Sequence, residues 1–356
     1  MIRKKTILVA PLHWGLGHAT RCVPIIEALL KNDFNVILAS DGGALLMLRK
    51  EFPTLEALEL PTYDITYPKK GSHFKWKIFL KLPHIQNTIA LEKKIVQKLV
   101  SEGKVDGIIS DNRFGVRSKK IPSVFITHQL NVLTGITTAV TSKMHQKIIR
   151  KYDVCWVPDV SGKNNLSGIL GHLEKTDLNI KYMGILSRMG KKEIPKKYTI
   201  IALLSGPEPQ RTLLEEKIVM EFKDYKSPVL LVQGLMAEKQ KQKNFGSIKI
   251  VNFMQRKELQ TALNESDIVI SRSGYTTVMD LSVLEKKAFF IPTPGQFEQE
   301  YLAKTLQAKG IAPSCSQKDF TSEKIKETAF YEGFKNIHSE NNFSELFRLF
   351  ERERKL

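Results

Sequence analysis

Thr6-Ile7-Leu8-Val9-Ala10, followed within a few residues by Gly15-Leu16-Gly17-His18, is the stretch that decides the fold class. Four apolar residues in succession after Thr6 predict a strand that is covered on both faces, as in a parallel sheet. The residues from Thr20 to Lys31 then predict a helix. A buried strand, a glycine-containing turn and a helix form the first unit of a doubly wound α/β domain.

The same strand-helix alternation recurs in two series along the chain. The first series runs to about Val157, and the second begins at Tyr198. Between them, residues 159–197 are mixed in character and end in a basic stretch. The pattern therefore predicts two doubly wound, Rossmann-like domains that face each other across a cleft. We expect an N-terminal domain over 1–182, a linker over 183–197, a C-terminal domain over 198–340, and a closing helix over 341–356 that packs back on the N-terminal domain.

Composition narrows the class of protein. The 356 residues are 42% hydrophobic and 26% charged, as in globular domains, and no apolar run approaches the length of a membrane-spanning helix. The first apolar run is too short for the core of a signal peptide. Cys22, Cys155 and Cys315 are odd in number and widely spaced, so neither a disulfide framework nor a zinc site is expected. A reducing cytoplasm is the expected compartment.

The formal net charge of +18 is the unusual total. A charge of this size can attract nucleic acid, an anionic membrane or an anionic substrate. It can equally reflect an organism whose proteins are generally rich in lysine, without any specific partner. The sequence lacks helix-turn-helix, zinc-finger and RNA-recognition signatures, so no nucleic-acid partner is expected.

The Gly15–His18 loop matches neither of two familiar phosphate-binding motifs. Thr20 stands where a dinucleotide fingerprint needs its third glycine, and the Gly-Lys-Ser/Thr ending of a Walker loop is absent. What remains is a tight turn that places His18 at the start of a helix. Its imidazole could accept a proton from a substrate hydroxyl, or it could be a helix-capping residue without a chemical role.

Three segments of the second series follow predicted strands and are candidate binding loops. Ser205 to Arg211 can present a helix start to phosphate, although its two prolines remove backbone donors. Ser271 to Asp280 is a second helix start, in which Asp280 could accept sugar hydroxyls. Ile291 to Glu300 carries polar residues that can hydrogen-bond a sugar. Each could also be an ordinary solvated helix start.

Taken together, these motifs resemble the MurG-like branch of the two-domain GT-B glycosyltransferases. Gly15-Leu-Gly-His18 with Arg21 is similar to that branch's Gly-x-Gly-His-x-x-Arg opening. Ser110-Asp111, Ile121 to Val124 and His128-Gln129 resemble its central run. Ser271 to Asp280, continued by Ile291 to Gln299, is similar to its donor-binding signature. The resemblance covers nearly the whole chain.

The resemblance implies an inverting, metal-independent transfer of a sugar, expected to be an N-acetylhexosamine, from a UDP-sugar, with no cofactor. It implies His18 as the base or as a residue that positions the acceptor. It also implies Phe253 and Met254 near the nucleobase, Asp280 on the ribose and Gln299 on the sugar hydroxyls. Two departures stand out: Ser205-Gly-Pro-Glu-Pro replaces the family's Gly-Gly-Ser loop, and Asp280 replaces a glutamate. The full set of donor-binding residues predicted in this way is Ser205, Gly206, Arg211, Phe253, Met254, Ser273, Gly274, Thr276, Thr277, Asp280, Glu298 and Gln299. The acceptor-side set is Gly15, Gly17, Arg21, Asp111 and His128.

The sequence says less about the acceptor substrate than about the donor. Residues 69–81 interleave five lysines with Phe74, Trp76 and Phe79, a composition typical of a peripheral contact with an anionic membrane, or of a solvated loop with an aromatic anchor. We expect a lipid-linked or cell-envelope acceptor, reached from the inner face of the cytoplasmic membrane. Two other functions share the fold: a nucleotide-sugar 2-epimerase and a non-catalytic nucleotide-sugar-binding protein.

Overall fold

The structure, a computed structural model, describes residues 3–64, 74–235, 237–335, 337 and 341–351, with the backbone alone over 74–80. It divides into two compact units. The described residues up to Ser187, together with 341–351, form the N-terminal unit, and those from Arg188 to 337 form the C-terminal unit.

The N-terminal unit is built on a seven-stranded, wholly parallel sheet with strand order β3-β2-β1-β4-β5-β6-β7. The strands are β1 Thr6–Pro11, β2 Asn35–Ser40, β3 Glu56–Glu59, β4 Gly107–Asp111, β5 Ser123–Ile126, β6 Val154–Val157 and β7 Ile180–Tyr182. The α-helices are α1 Gly17–Lys31, α2 Gly42–Glu51, α3 Phe74–Ser101, α4 Thr138–Ile149 and, from the end of the chain, α9 Phe343–Glu351. Short 3-10 helices cover Gly135–Thr137 and Gly168–Leu170.

Helix α9 completes the hydrophobic core of the N-terminal unit. Leu346, Phe347 and Phe350 lie on one face of the helix and are buried. The Phe350 ring makes edge contacts with Phe34 and Trp156, at centroid distances of 6.3 and 6.1 Å. Aromatic packing therefore fixes α9 to the residues around β2 and β6 within the N-terminal unit.

The C-terminal unit is built on a six-stranded sheet with strand order β10-β11-β9-β8-β12-β13, in which only β10 runs antiparallel among the described strands. The strands are β8 Tyr198–Leu203, β9 Val229–Val232, β10 Gln242–Phe245, β11 Ile248–Val251, β12 Ser266–Ser271 and β13 Lys287–Phe290. The helices are α5 Gln210–Phe222, α6 Arg256–Asn264, α7 Tyr275–Val283, α8 Phe297–Ala308 and a 3-10 helix over Ser322–Phe330.

Each sheet has one point at which its strand order reverses. In the N-terminal unit the chain proceeds outward from β1 to β3, then returns to place β4 on the other side of β1. In the C-terminal unit the corresponding reversal lies between β8 and β12. Loops on either side of such a point diverge and leave a crevice beyond the carboxyl ends of the strands, where ligands bind in doubly wound folds.

The predicted α/β class with two doubly wound domains is confirmed. The structure differs from the sequence-based expectation in detail, because α1 begins at Gly17 rather than Thr20, which brings His18 into its first turn. Three strands were not expected: β3, β7 and β10. Each lies at or near a sheet edge and has few fully buried residues, so its sequence lacks the continuous apolar run that marks a central parallel strand.

Candidate active site

The loop between β1 and α1 turns sharply through Gly15. Its φ angle of +77° lies in the left-handed region, which glycine adopts without strain, and open space surrounds the position where a Cβ would lie. Leu16 precedes the helix, and Gly17 and His18 are its first two residues. The two glycines therefore allow the turn that brings the imidazole to the carboxyl edge of the sheet.

His18 forms a hydrogen-bonded pair with a buried carboxylate. Its Nδ1 lies 2.8 Å from Oδ1 of Asp111, the last residue of β4. Asp111 is fully buried, whereas the side chain of His18 retains 15% of its exposure. One side of the imidazole is thus held by the protein, while part of the ring still meets solvent.

Arg21, one turn along α1 from His18, binds both oxygens of the same carboxylate. Its Nε donates to Asp111 Oδ2 at 2.6 Å, and an Nη donates to Asp111 Oδ1. A second Nη lies 3.0 Å from Nδ1 of His128. Arg21 is 2% exposed, so this bidentate pair is largely shielded from water.

The cluster His18, Arg21, Asp111 and His128 lies across the switch point of the N-terminal sheet. Asp111 ends β4 directly opposite Pro11 of β1 and Ile126 of β5, and His128 follows two residues after Ile126. Residues that are far apart in sequence are thereby brought to the carboxyl ends of three adjacent strands. The structure thus brings four of the predicted residues together in one network, with Gly15 and Gly17 shaping the turn.

The electrostatics of the cluster fix the charge of each partner. Burial alone would raise the pKa of Asp111, but the adjacent Arg21 and His18 hold it well below its usual range, so the carboxylate is ionised. Burial and the Arg21 charge lower the pKa of His18, although Asp111 acts in the opposite direction. The Nδ1 of His18 also lies 2.9 Å from an Nη of Arg21, so it faces both a carboxylate and a guanidinium. In the tautomer that carries its proton on Nδ1 and donates to Asp111, Nε2 is the acceptor.

A second buried ionic network adjoins the first. Arg113, which follows β4, donates to Glu92 Oε1 at 2.7 Å and also to Asp41. His13, in the same loop as His18, lies with Nδ1 3.3 Å from Asp41 Oδ2. The β1–α1 loop and the first turn of α1 thus carry one histidine each, and each faces a carboxylate that is itself held by an arginine. Sequence analysis did not assign roles to His13 or Arg113, since the residues of this network are far apart along the chain.

In the C-terminal unit, the loop after β8 places Ser205 and Gly206 at the sheet edge. Both are exposed, and Gly206 has a φ of +107°. Arg211, in the first turn of α5, is engaged by carboxylates of its own segment: Nε donates to Glu208 at 2.6 Å and an Nη to Glu215 at 2.8 Å. Its positive charge is therefore balanced locally.

The loop after β12 leads into α7 through Ser273 and Gly274. The Ser273 hydroxyl donates to the backbone oxygen of Gln299 at 2.7 Å, which joins this loop to α8. Space is open in front of Gly274, with nothing within 4 Å of a Cβ placed there. Thr276, Thr277 and Asp280 follow on α7, and all three are partly exposed.

The remaining predicted donor residues lie on the loops after β11 and β13. Phe253 and Met254 follow β11 and are partly exposed. Glu298 and Gln299 lie in the first turn of α8. The Gln299 side-chain oxygen accepts the backbone N–H of Thr293 at 2.8 Å, which fixes the orientation of its amide. Eleven of the twelve predicted donor residues thus lie in loops or first helical turns after β8, β11, β12 or β13. The twelfth, Asp280, lies further along α7.

The described residues contain no group of three or more His, Cys, Asp or Glu side chains arranged to hold a metal ion. No helix in this part of the chain combines the length and apolarity needed to cross a bilayer. Of the segment predicted to contact a membrane, residues 69–73 lie outside the described part of the chain, and residues 74–80 are described by their backbone alone.

Comparison with known proteins gives three consistent matches. Residues 211–347 match the glycosyltransferase family 28 C-terminal domain. The UDP-N-acetylglucosamine–N-acetylmuramyl-(pentapeptide) pyrophosphoryl-undecaprenol N-acetylglucosamine transferase of Buchnera aphidicola is 29% identical over 212 residues, which are 58% of this chain and 56% of that protein. A glycosyltransferase of Methanosarcina acetivorans, described as uncharacterized, is 23% identical over 350 residues and covers 90% of this chain and 89% of its own length.

A solved structure extends the likeness over both units. The crystal structure of MurG from Acinetobacter baumannii superposes with a TM-score of 0.58 at 16% identity, covering 98% of this chain and 99% of that one. The two parallel sheets and the family match define the chain as a GT-B glycosyltransferase, which transfers a sugar from a nucleotide sugar. It is a MurG-like glycosyltransferase, as its sequence motifs predict, and its residues 211–347 carry the family 28 C-terminal domain.

Proposed function

We propose that this enzyme transfers an N-acetylhexosamine from a UDP-sugar to a hydroxyl of a lipid-linked or cell-envelope acceptor, with inversion and without a metal ion. The observation that carries the proposal is the His18–Asp111 pair at the switch point of the N-terminal sheet. The relatives support the choice of donor and acceptor, because the Buchnera aphidicola protein is named for N-acetylglucosamine transfer from a UDP-sugar to an undecaprenol-linked acceptor.

His18 acts as the general base in this proposal. Its Nε2 takes the proton of the acceptor hydroxyl while the hydroxyl oxygen forms a bond to the anomeric carbon of the sugar. The bond between that carbon and the diphosphate oxygen breaks, and UDP leaves with the electron pair. Because the attack and the departure occur on opposite faces in a single displacement, the anomeric configuration inverts.

Asp111 and Arg21 prepare His18 for that step. The ionised Asp111 accepts a hydrogen bond from the Nδ1–H of His18 and stabilises the imidazolium that forms when Nε2 becomes protonated. Arg21 holds Asp111 through two hydrogen bonds and keeps its carboxylate ionised. A positioned base of this kind contributes typically ~10²–10⁴ in rate.

The departing UDP gains negative charge, which the C-terminal unit would stabilise. The helix starts after β8 and β12 can direct backbone N–H groups and the positive ends of helix dipoles at phosphate. In this proposal Asp280 binds the ribose and Gln299 the sugar hydroxyls, with Phe253 and Met254 at the uracil. Retention of full activity in excess EDTA would agree with metal independence, and loss of activity that Mg²⁺ restores would contradict it.

A binding panel tests the donor. A ligand specific for the folded state raises its apparent stability by about 2.7 kcal/mol at ~100 times its Kd. We expect a thermal shift with UDP and UDP-N-acetylglucosamine that exceeds the shifts with GDP, ADP and dTDP. No shift with any of these nucleotides would overturn the proposed donor site.

Two assays separate the proposal from its alternatives. A 2-epimerase would convert UDP-N-acetylglucosamine without an acceptor, whereas the transferase should leave the donor's sugar configuration unchanged in that incubation. A non-catalytic binding protein would form no product with membrane-lipid extract as the acceptor, whereas the transferase should move radiolabelled sugar into the lipid phase. The product's anomeric configuration, determined by NMR, then tests inversion.

The proposed contact with the membrane rests on the sequence of residues 69–81 alone. Five lysines among three aromatic residues predict weak, salt-sensitive binding to anionic lipid. The protein should sediment with phosphatidylglycerol vesicles at low salt and less so at 0.5 M NaCl, and not with phosphatidylcholine vesicles. If it stays in the supernatant with anionic vesicles at low salt, the membrane contact is wrong.

A further inference from the structure

Four lysines line one pocket at the amino-terminal edge of the C-terminal sheet. The pocket has a volume of about 460 Å³ and lies where β8, β12 and β13 begin, at the edge opposite to the proposed donor loops. It is lined by residues 191–196, Asn264 and residues 284–286. The charged side chains of this lining are Lys191, Lys192, Glu193, Lys196, Glu285 and Lys286. The lining therefore has two more lysines than glutamates, and none of these residues belongs to the proposed donor or acceptor site.

The walls of the pocket are fixed by hydrogen bonds of its own residues. Asn264, the last residue of α6, is buried, and its Oδ1 accepts the backbone N–H of Lys192 at 2.9 Å. Across the pocket, Lys191 Nζ lies 2.6 Å from Oε2 of Glu285, the residue before Lys286. The segment before β8 is thus held against both α6 and the start of β13.

Two of the ammonium groups meet at a single backbone oxygen. Lys286 Nζ donates to the oxygens of Asn264 and Ser266, at 3.2 and 2.7 Å. Lys196 Nζ donates to the same oxygen of Asn264 at 2.6 Å. Among the described residues, these bonds use two of the three N–H groups of Lys286 and one of the three of Lys196. Two like charges thus lie side by side, with three N–H groups still available to a ligand.

The end of a helix explains one of these lysines but not both. The last carbonyl oxygens of α6 and its helix dipole favour a nearby cation. The end of α9 shows the ordinary arrangement, in which Lys5 Nζ donates to the oxygens of Phe350 and Glu351 at 2.8 and 3.0 Å. Among the described residues, Lys5 is the only ammonium bonded to those two oxygens. The end of α6 receives a second ammonium, although the first already satisfies the same carbonyl.

The carboxylates around the pocket leave the pair of ammonium groups unbalanced. The hydrogen bonds of Lys196 and Lys286 go to backbone oxygens, while Glu285 is engaged by Lys191. Lys286 is only 6% exposed, so water screens its charge little. Burial and the neighbouring ammonium groups lower the pKa of Lys286 to about 7, against the opposing effect of Asp267. A negative charge in the pocket would therefore stabilise the charged form of Lys286.

We propose that this pocket binds a phosphate group, with Lys196 and Lys286 donating to its oxygens, at a site separate from the donor site. A phosphate dianion matches the excess of two positive charges in the lining, and its oxygens accept the three available N–H groups. The bound anion would join the segment before β8 to the start of β13 within the C-terminal unit. The site does not depend on which nucleotide sugar the enzyme uses.

Binding of inorganic phosphate to the full chain tests the site. Isothermal calorimetry at constant ionic strength, balanced with NaCl, gives the Kd. Lys196→Met should weaken phosphate binding about 10- to 100-fold, the effect of losing a hydrogen bond between charged groups. Lys196→Arg, which keeps the charge, should retain most of the affinity. The Kd for UDP should be the same in all three proteins, because the proposed donor loops lie at the other edge of the sheet.

Lys5→Met is the matched control, because it removes one charge and one lysine from the end of a helix that lacks the pocket. It should lower the melting temperature of the ligand-free protein and leave the phosphate Kd unchanged. Lys196→Met should instead leave that melting temperature unchanged or raise it, since it relieves the repulsion between two ammonium groups. Phosphate also stabilises folded proteins non-specifically, but that effect acts on every variant alike.

A lipid headgroup carries the same phosphate chemistry as free phosphate, and vesicles distinguish the two sources. If phosphatidic acid vesicles sediment less Lys196→Met than wild-type protein, and as much Lys5→Met, the phosphate that the pocket takes is that of a lipid. If all three proteins sediment equally, the pocket takes a phosphate compound from solution. Either result agrees with the site once the calorimetric Kd values have established it.

Lys286→Met provides a second variant, which should also lose phosphate binding, with folding verified by circular dichroism. If this buried substitution prevents folding, Lys196→Met still decides the question, because Lys196 is exposed. Equal phosphate Kd values for the wild-type protein and the folded Lys196→Met variant would overturn the proposal, and the two lysines would then act only at the end of α6. The absence of measurable phosphate binding to the wild-type protein would overturn it as well.

Discussion

The imidazole of His18 and the carboxylate of Asp111 lie 2.8 Å apart, although 93 positions separate them in the sequence. The parallel pairing of β1 with β4 creates this contact, since it places the loop after one strand beside the last residue of the other. If His18 is the general base, His18→Ala should lower kcat by ~10²–10⁴-fold. The Kd for UDP should stay unchanged, because the proposed donor site lies in the other unit. Transfer of radiolabelled sugar to lipid extract and calorimetry with UDP measure the two effects, and equal activity of the variant would exclude His18 as the base.

The pH profile of transfer should report the environment of His18. Burial lowers its pKa from the ordinary value, so the imidazole stays neutral and able to accept a proton at a pH where a free histidine is already charged. Activity depends on the neutral form and is lost as the pH falls through the folded-state pKa. The acid limb of kcat/KM should therefore lie below about pH 6.5. An acid limb centred above 6.5 would contradict the proposed state of this residue.

Asp111 should matter for stability as well as for activity. Asp111→Asn leaves Arg21 as a buried cation without its carboxylate, and breaking a buried pair in this way costs about 3–5 kcal/mol. The exposed pair Arg150–Asp177 supplies a matched control, and Asp177→Asn should leave stability unchanged. Differential scanning calorimetry of both variants makes the comparison. Similar melting temperatures for the two would show that the buried pair contributes little.

His145 should make the N-terminal unit sensitive to mild acid. Its ring packs against Phe114 and Phe125 at centroid distances of 5.8 and 5.6 Å, and burial lowers its pKa to about 4. The unfolded chain binds a proton at this position near pH 6.5 and the folded chain does not, so stability is full above that pH and falls as the pH drops toward 4. The slope contributed is at most about 1.4 kcal/mol per pH unit.

The His145→Gln variant tests this dependence. Its melting temperature should fall less between pH 7 and pH 4.5 than that of the wild-type protein, whatever its starting value at pH 7. Parallel curves for the two proteins would show that His145 does not titrate in this range.

Phe350 should be among the costliest side chains to truncate. It is 1% exposed and packs against Phe34 and Trp156, and a Cβ on Gly107 would lie only 2.4 Å from its ring. Phe350→Ala should lower stability by about 3–5 kcal/mol because it leaves a cavity in a tightly packed core. Arg348→Ala, on the exposed face of the same helix, should have little effect in the same thermal unfolding assay.

Much of the fold follows from continuous apolar runs. The strands beginning at Thr6, Asn35, Val154, Tyr198 and Ile248 are buried in the centre or near-centre of their sheets, and their sequences show it. The edge strand Gln242–Phe245 has no such apolar run, because all four of its residues are exposed, and the sequence pattern therefore does not predict it. Its position is set by pairing with a neighbour, which a local pattern does not encode.

The candidate site likewise has a part that sequence motifs predict and a part that only the structure shows. His18, Arg21, Asp111 and His128 were each predicted from motifs, but only the sheet order shows that they form one hydrogen-bonded network. Ser271 and Thr293 lie in two of the predicted binding segments, but neither was assigned a role of its own. What distinguishes them is a buried hydroxyl without a hydrogen-bond partner among the described residues, and that is a property of three-dimensional packing.

The placement of α9 has a consequence for how the chain is made. A ribosome delivers the strands of the N-terminal sheet first, but the helix that closes its aromatic core emerges only after the whole C-terminal unit has been translated. At roughly 5–20 residues per second, the wait is on the order of 10 s. During that interval the apolar surface around Phe34 and Trp156 is uncovered on the nascent chain. The half of the protein that is synthesised first is thus the half that finishes folding last.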